Sequence, residues 1–523
     1  MFHTAQTDNY LTALQALLDI ATSDHVATVA INGGGTGYAV DEVLTITDGT
    51  NTFAATLIVT SVSSGVIDGV RVANGGAYTV DPDLTATTSF TTSGSGTGAS
   101  FDLTMSGTGW TENRREYRAE RATVTAGGTG YAVNDTLTVT GGTSSETATF
   151  NVDTVSGGAV TSVSVVTKGI YTVTPSNAVA TTTDGGGSSC TLTVEYDQEL
   201  ILVGSGTGAQ EINVGIKTFQ DTDTGGFNTT FSWAMFGFTD YNSGLEFWDQ
   251  PGISSGFANT PAGDPAFNTS KGAFVPLRDT NGSFPITFWF NITASRIIGV
   301  FKVRSATTTV YPSFHVGYLN PLGTTSELSF PMYVCGSSHR RNVYYADVTP
   351  YITGLSEMVG GGGDNGPGFY YRPSTSEWAG ADNSDATDNG SSKSDSRDSS
   401  VYPGGSAQQE TPASGFAAIV ATGWGEWAQA IPDTGVPGTA NWEVYPSYGA
   451  GDLYWLVPCT VLDHDDNDSQ YLPYGEIDEV FWVGRGAVLT SEDTITIGND
   501  VYRVFQNGNR TEEWSYMAIK ESF

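Results

Sequence analysis

Apolar residues open the chain at helical spacing. Leu11, Leu14, Leu17 and Leu18 fall three and four positions apart, and Asp8 stands where a cap is needed, so one amphipathic helix is predicted near the amino terminus. Beyond it the period changes to two. Runs such as Leu44-Thr45-Ile46-Thr47 and Leu137-Thr138-Val139-Thr140 alternate apolar with polar positions, and Gly-Gly, Asn-Gly and Asp-Gly pairs break them. This pattern predicts a mainly β protein of many short strands. Farther on, Phe284-Pro285-Ile286-Thr287-Phe288-Trp289-Phe290 and Arg296-Ile297-Ile298-Gly299-Val300-Phe301-Lys302-Val303-Arg304 read as a hairpin of two partly buried strands.

Part of the pattern is duplicated. Gly34-Gly35-Thr36-Gly37-Tyr38-Ala39-Val40 recurs 93 residues later as Gly127-Gly128-Thr129-Gly130-Tyr131-Ala132-Val133, and Tyr78-Thr79-Val80 recurs as Tyr171-Thr172-Val173 at the same offset. Within each copy the two tyrosines lie 40 residues apart, so each copy is built from two similar halves. The glycines permit a sharp turn at positive φ, and the tyrosine ring is expected to lie over that turn with its hydroxyl bonded. An acidic residue follows at Asp41, Asp81 or Asp135, and then a strand. No helix and no Gly-Lys-Ser/Thr follows the glycines, which excludes a phosphate cradle.

These signals divide the chain. Residues 1–26 form the helix of a host domain, 27–105 a first β-repeat module, 106–120 a host connector, and 120–197 a second module. Residues 198–359 are the first part of the host β domain, 360–406 a Gly/Ser/Asp-rich surface loop, and 407–523 the second part. The expected fold is a β-sandwich or barrel host with one helix and two small duplicated β modules inserted.

Charge narrows the function. Acidic residues number 56 against 21 basic ones, a net charge of −35. Such a field repels phosphate backbones and anionic lipid, so neither a nucleic acid nor a membrane is expected as a partner. No apolar run approaches the ~18 residues of a membrane-spanning helix, and the start lacks the basic and apolar regions of a secretory signal. Cys190, Cys335 and Cys459 form no C-x-x-C pair and cannot build a disulfide framework. The basic cluster Arg114, Arg115, Arg118 and Arg121 is expected to pair with surplus carboxylates, within the chain or across a subunit boundary.

Candidate chemistry is sparse. Gly475-Glu476-Ile477-Asp478-Glu479-Val480 resembles the Glu-Ile-Asp-x-x-Glu strand of β-glucanase-like glycoside hydrolases. Glu476 and Asp478 are in phase on a strand, about 7 Å apart. The third carboxylate would sit at Val480 or Phe481, and Glu479 points to the opposite face, so the acid needed for glycoside cleavage is missing. Asp463, Asp465 and Asn467 match the first ligand positions of a Ca²⁺ loop. Asp468 replaces its glycine and Tyr474 its final glutamate, so an EF-hand is excluded and a solvated acidic loop is expected. His3, His25, His315, His339 and His464 are scattered without zinc-enzyme spacing. Tryptophans are expected in the core rather than on a sugar-stacking platform. The sequence therefore names no catalytic, cofactor-binding or metal-binding residue, and no enzyme is expected.

The third region resembles virion structural proteins of tailed bacteriophages. The resemblance is carried by Leu200–Gly208, Ile212–Asp221, Gly237-Phe238-Thr239-Asp240-Tyr241, Phe247–Gly252, Phe288-Trp289-Phe290, Gly317–Pro321, Tyr474–Phe481 and Ile497–Asn507, with the opening helix and Gly109-Trp110-Thr111 as the start. It spans residues 1–26, 106–120 and 198–523, and makes the two modules insertions. It implies a non-catalytic tail, baseplate or tail-tip component that forms symmetric oligomers, is assembled in the host cytoplasm and is carried in the virion. Partners would be further copies, other virion proteins and host surface glycans met by outward-facing modules. A capsid decoration or collar protein is the alternative within this class, and an extracellular adhesin or glycan-degrading protein the alternative outside it.

Overall fold

The computed structural model describes residues 2–7, 10–206, 211–221, 230–254, 271–277, 285–304, 309–321, 332–336, 338–340, 368–372, 377–380, 418–421, 456–465, 470–484, 490–498, 500–506 and 515–521. Asp8, the expected cap, lies outside them. The helix runs from Tyr10 to Thr22 and buries Leu14, Leu17 and Leu18, while Leu11 is half-buried. Its carboxyl end is tied down by the Thr108 hydroxyl, which donates to the Ala21 carbonyl.

Among the described residues nearly everything else is antiparallel β-structure in stacked sheets and no barrel closes, so the sandwich half of the expectation holds. The first host sheet orders Phe2–Thr7, Ile286–Ile292, Arg296–Arg304, Ser313–Tyr318, Met332–Cys335, Gly368–Arg372 and Glu377–Gly380. The second runs from Ser188–Gly204 through Ile212–Asp221, Thr230–Phe238 and Lys271–Leu277 to Ser338–Arg340. The third orders Ala418–Ala421, Leu456–Asp465, Gln470–Gly484, Ser515–Lys520, Asp500–Gln506 and Thr494–Ile497. The expected hairpin is present, with Ile292 opposite Ile297 and Phe288 opposite Phe301.

The first sheet is the middle layer. Phe288, Phe290 and Ile292 join the helix, Trp233 and Val214 in the main core, whereas the intervening Trp289 turns the other way and meets Phe505 of the third sheet at 5.0 Å. A strand covered on both faces has no polar side to present, which explains the unbroken burial from Phe288 to Ile292. The loop expected over 360–406 needs correction. Its described residues, Gly368–Arg372 and Glu377–Gly380, form a hairpin that extends this middle sheet, with Phe369 opposite Gly380 and Tyr371 opposite Trp378. The aromatics Phe369, Tyr370, Tyr371 and Trp378 held the strand signal there, beneath the glycine-rich composition.

Each duplicated region is left by a strand antiparallel to the one that enters it. Asp24–Thr36 pairs with Thr97–Gly107, and Trp110–Thr129 pairs with Ser188–Gly204. The first unit packs the sheet Thr50–Phe53, Ala77–Val80, Asp24–Thr36, Thr97–Gly107 against the sheet Val66–Asn74, Thr56–Ser63, Val43–Ile46, Phe90–Thr92. The second repeats this, and its two bounding strands run on into the second host sheet, where Trp110 faces Gly204. Asp24 opposite Tyr78 becomes Tyr117 opposite Tyr171 at the same offset.

The repeated turns explain why the motif recurs. Gly35, Gly76, Gly128 and Gly169 all have φ between 60° and 75°, and a Cβ on any of them would lie 2.5–2.8 Å from the ring of Tyr38, Tyr78, Tyr131 or Tyr171 respectively. All four hydroxyls bond backbone N–H groups. Ala55 donates to Tyr78 and Ala148 to Tyr171, each at 2.9 Å, Cys190 donates to Tyr131 at 3.2 Å, and Ala99 pairs with Tyr38. The acid that bonds the turn is not the first one after the motif in the first unit. Glu42, not Asp41, accepts from the Ala39 N–H at 3.0 Å, as Asp135 accepts from Ala132 at 2.9 Å. Asp41 instead takes φ 67°, like its counterpart Asn134 at 71°, and Asp81 is exposed.

Candidate functional site

The carboxylate strand is the natural place to look for chemistry. Gln470–Gly484 pairs with Leu456–Asp465, but the register jumps from Thr460 opposite Glu476 to Pro458 opposite Phe481. Residues 477–480 therefore bulge, and Glu479 sits within the bulge at φ 60°. Strict alternation fails here, and the expectation that Glu479 turns away from Asp478 is corrected. Glu479 Oε2 lies 2.8 Å and Asp478 Oδ2 3.5 Å from the same Arg296 Nη2.

Arg296 is fully buried and donates further through Nη1 to Asn291 O and Oδ1 at 3.2 and 3.1 Å. Asn291 Nδ2 donates to Glu479 Oε2 at 3.1 Å and to the Lys520 carbonyl at 2.9 Å. Asn320 Nδ2 donates to Asp478 Oδ1 at 2.9 Å, and its backbone exchanges two 2.8 Å bonds with Glu476. Asp478 through its carboxylate, Glu479 through its carboxylate and Glu476 through its backbone thus fasten the third sheet to the middle one. Beside Arg296, His315 places Nδ1 3.2 Å from the Tyr333 carbonyl, and burial together with the Arg296 charge lowers its pKa to about 3. Burial pushes the neighbouring Cys335 thiol up to about 12. Neither group is set up as a base or nucleophile near neutrality.

A second charged constellation lies where the second unit joins the host. The four arginines of the 109–121 segment all pair inside the chain. Arg114 meets Glu116 at 2.8 Å and Glu246 at 3.5 Å; Arg115 meets Glu112 at 2.5 Å. Arg118 reaches Glu199 at 3.2 Å and also Glu246, and Arg121 pairs with Glu195. Of the two expected kinds of pairing, these are the intrachain ones. Lys217 stands directly opposite Glu199 across two strands, 2.7 Å away and fully buried, with its ammonium 5.4 and 5.5 Å from the rings of Phe219 and Trp248. Burial opposes both charges, yet Lys217 and Arg118 hold Glu199 below the usual carboxylate range, and Glu199 holds Lys217 above the usual amine range. No sequence spacing marks Lys217; only the strand register brings it to Glu199.

Other sequence candidates disperse. Asp463 and Asp465 lie in a strand, paired with Leu472 and Gln470, rather than in a loop, and Asn467 and Asp468 fall outside the described residues. His3, His25 and His315 are buried, and Trp110, Trp233 and Trp289 are core residues as expected. Among the described residues, no group of three His, Cys, Asp or Glu side chains could hold a metal ion, and no helix is long and apolar enough to cross a membrane.

One surface feature escaped the sequence reading. Val40, Val80, Val133 and Val173, each two residues after a motif tyrosine, are 49%, 60%, 48% and 57% exposed. Each half-repeat thus presents one apolar side chain just past a buried tyrosine, Val40 and Val133 in turns and Val80 and Val173 at strand ends. The repeat itself carried the signal. No protein-family model matches the chain, and no curated protein is similar to it.

Proposed function

We propose that this chain is a structural building block of a tailed-phage virion, in the tail, baseplate or tail-tip region, that forms symmetric oligomers and displays its two repeated units outward. The observation that carries this reading is the doubled unit, each copy bounded by a pair of neighbouring antiparallel strands. A unit attached in this way can be gained without redirecting the strands of its host. Supporting it, the constellation that most resembled catalytic machinery is engaged in sheet-to-sheet fastening. The exposed valines beside buried tyrosines offer contact points that lose little entropy on binding. Further copies and other virion proteins are the partners that suit such points, with host surface glycans as ligands of the displayed units.

Electron microscopy of the purified protein, with mass photometry at the same concentration, tests this. Closed rings or filaments of many copies are expected, and Glu476→Gln should assemble unchanged. A persistent monomer that releases reducing sugars from polysaccharide, and loses that activity in Glu476→Gln, would overturn the reading in favour of a glycan-degrading enzyme.

A further inference from the structure

The first repeated unit does more than hang from its bounding strands: it docks on the host along a seam. Strand Phe2–Thr7 of the middle sheet packs against Val66–Asn74 of the unit. Ala77 is fully buried in the host core, and Phe53 meets Phe288 edge-on at 6.5 Å. Two imidazoles lie in this seam. His3 is 1% exposed, on the host strand beside Phe290, and bonds the Asn74 side chain of the unit. His25 is 8% exposed, on the unit's incoming strand beside Ser106, and lies near enough for its charge to act on His3.

The charges that act on these rings are positive: the amino-terminal charge on both, and His25 on His3. Charged residues of the surrounding elements are directed elsewhere. Asp19 of the helix bonds Gln15, Asp68 bonds Ser63, and Asp102 faces Asn32. Arg71 faces Glu521, Arg503 and Asp41, and Asp24 is exposed.

We propose that this seam is an acid-sensitive joint: protonation of His3 and His25 releases the first unit from the host while the unit itself stays folded. The unit's own core is a separate cluster built around Leu44, Leu57, Val59 and Phe101, and it contains no histidine. Burial, followed by the amino-terminal charge, holds His3 well below 6.5 and His25 near 3. The neutral rings therefore stabilise the docked state. That contribution is complete above pH 6.5 and is lost as pH falls from there toward the folded-state values. Between pH 6.5 and 5 each ring should raise the opening equilibrium on the order of tenfold, and the two together about a hundredfold.

Hydrogen exchange of the full chain between pH 7.5 and 5, corrected for intrinsic rates, tests the joint. Over this wider range protection of Phe2–Thr7 and Val66–Asn74 should fall by about a thousandfold, while Val43–Ile46 and Thr56–Ser63 keep theirs. His25→Gln should halve the logarithmic slope, and His3→Gln with His25→Gln should abolish it. Unchanged seam protection at pH 5, or loss of seam and unit core together, would overturn the proposal. Should the double variant not fold, histidine-selective NMR of the wild-type chain decides, with the His25 signal assigned by its single variant. Two rings titrating below 6.5 in step with the loss of protection support the joint, and ordinary titration near 6.5 in the docked protein refutes it.

Discussion

At the scale of single residues, the repeated unit turns on a glycine at positive φ and a tyrosine that covers it. Tyr171 is fully buried, and its hydroxyl is the partner of the Ala148 N–H, itself a buried group. Tyr171→Phe keeps the ring and removes the acceptor, so the orphaned donor should cost about 1–3 kcal/mol. Tyr78→Phe should cost about the same in the first unit, through Ala55. Urea denaturation followed in each unit separately would read both, and an effect below about 0.5 kcal/mol would mean that water replaces the hydroxyl. Much of this was legible in the chain: Gly-Gly-x-Gly-Tyr announces both the turn and the ring above it. Which carboxylate bonds the turn was not assigned from the sequence, where Asp41 is the first acid after the motif. Applying the repeat offset would have matched Asp135 with Glu42 and Asn134 with Asp41, a pair whose shared left-handed backbone suits Asp and Asn.

At the scale of elements, the third sheet is held to the middle one by a guanidinium that two successive residues grip. Arg296 is fully buried, so replacing it with leucine removes the cation shared by Asp478 and Glu479 and strands Asn291. Arg296→Leu should cost about 1–3 kcal/mol, the cost of leaving the Asn291 acceptors without their donor, since Asp478 and Glu479 are about a third exposed and water can reach them. Glu479→Gln retains an acceptor for Arg296 and should cost distinctly less. Thermal unfolding of the two variants compares them directly, and equal losses would mean that the bulge itself, rather than the ion pair, fastens the sheets. The bulge was not legible. Nothing in Glu476-Ile477-Asp478-Glu479 distinguishes an alternating strand from one in which residues 477–480 sit between the partners Thr460 and Pro458, since partner and register are non-local. The hairpin of Ile286–Ile292 with Arg296–Arg304 was legible as a pair of partly buried strands, but its cover on both faces was not, since the third sheet that supplies the second cover is non-local.

At the scale of the whole molecule, the alternation of period two, the single helix and the duplication indicated a mainly β protein of stacked sheets. The order of those sheets was not indicated, because the middle layer is assembled from strands as far apart as Phe2–Thr7 and Glu377–Gly380. What composition does govern is how copies meet. A chain carrying −35 charges repels its own copies, and its arginine cluster at 109–121 is already neutralised internally, leaving those cations unable to bridge subunits. The proposed assembly must then rest on apolar and backbone contacts made against an electrostatic penalty that salt screens, with a screening length of about 10 Å at 0.1 M and about 3 Å at 1 M. Mass photometry across 0.05–1 M NaCl at pH 7.5 should show the oligomeric fraction rising with salt. Dissociation on adding salt would mean that the contacts are ion pairs between copies, formed by cations outside the internally paired cluster.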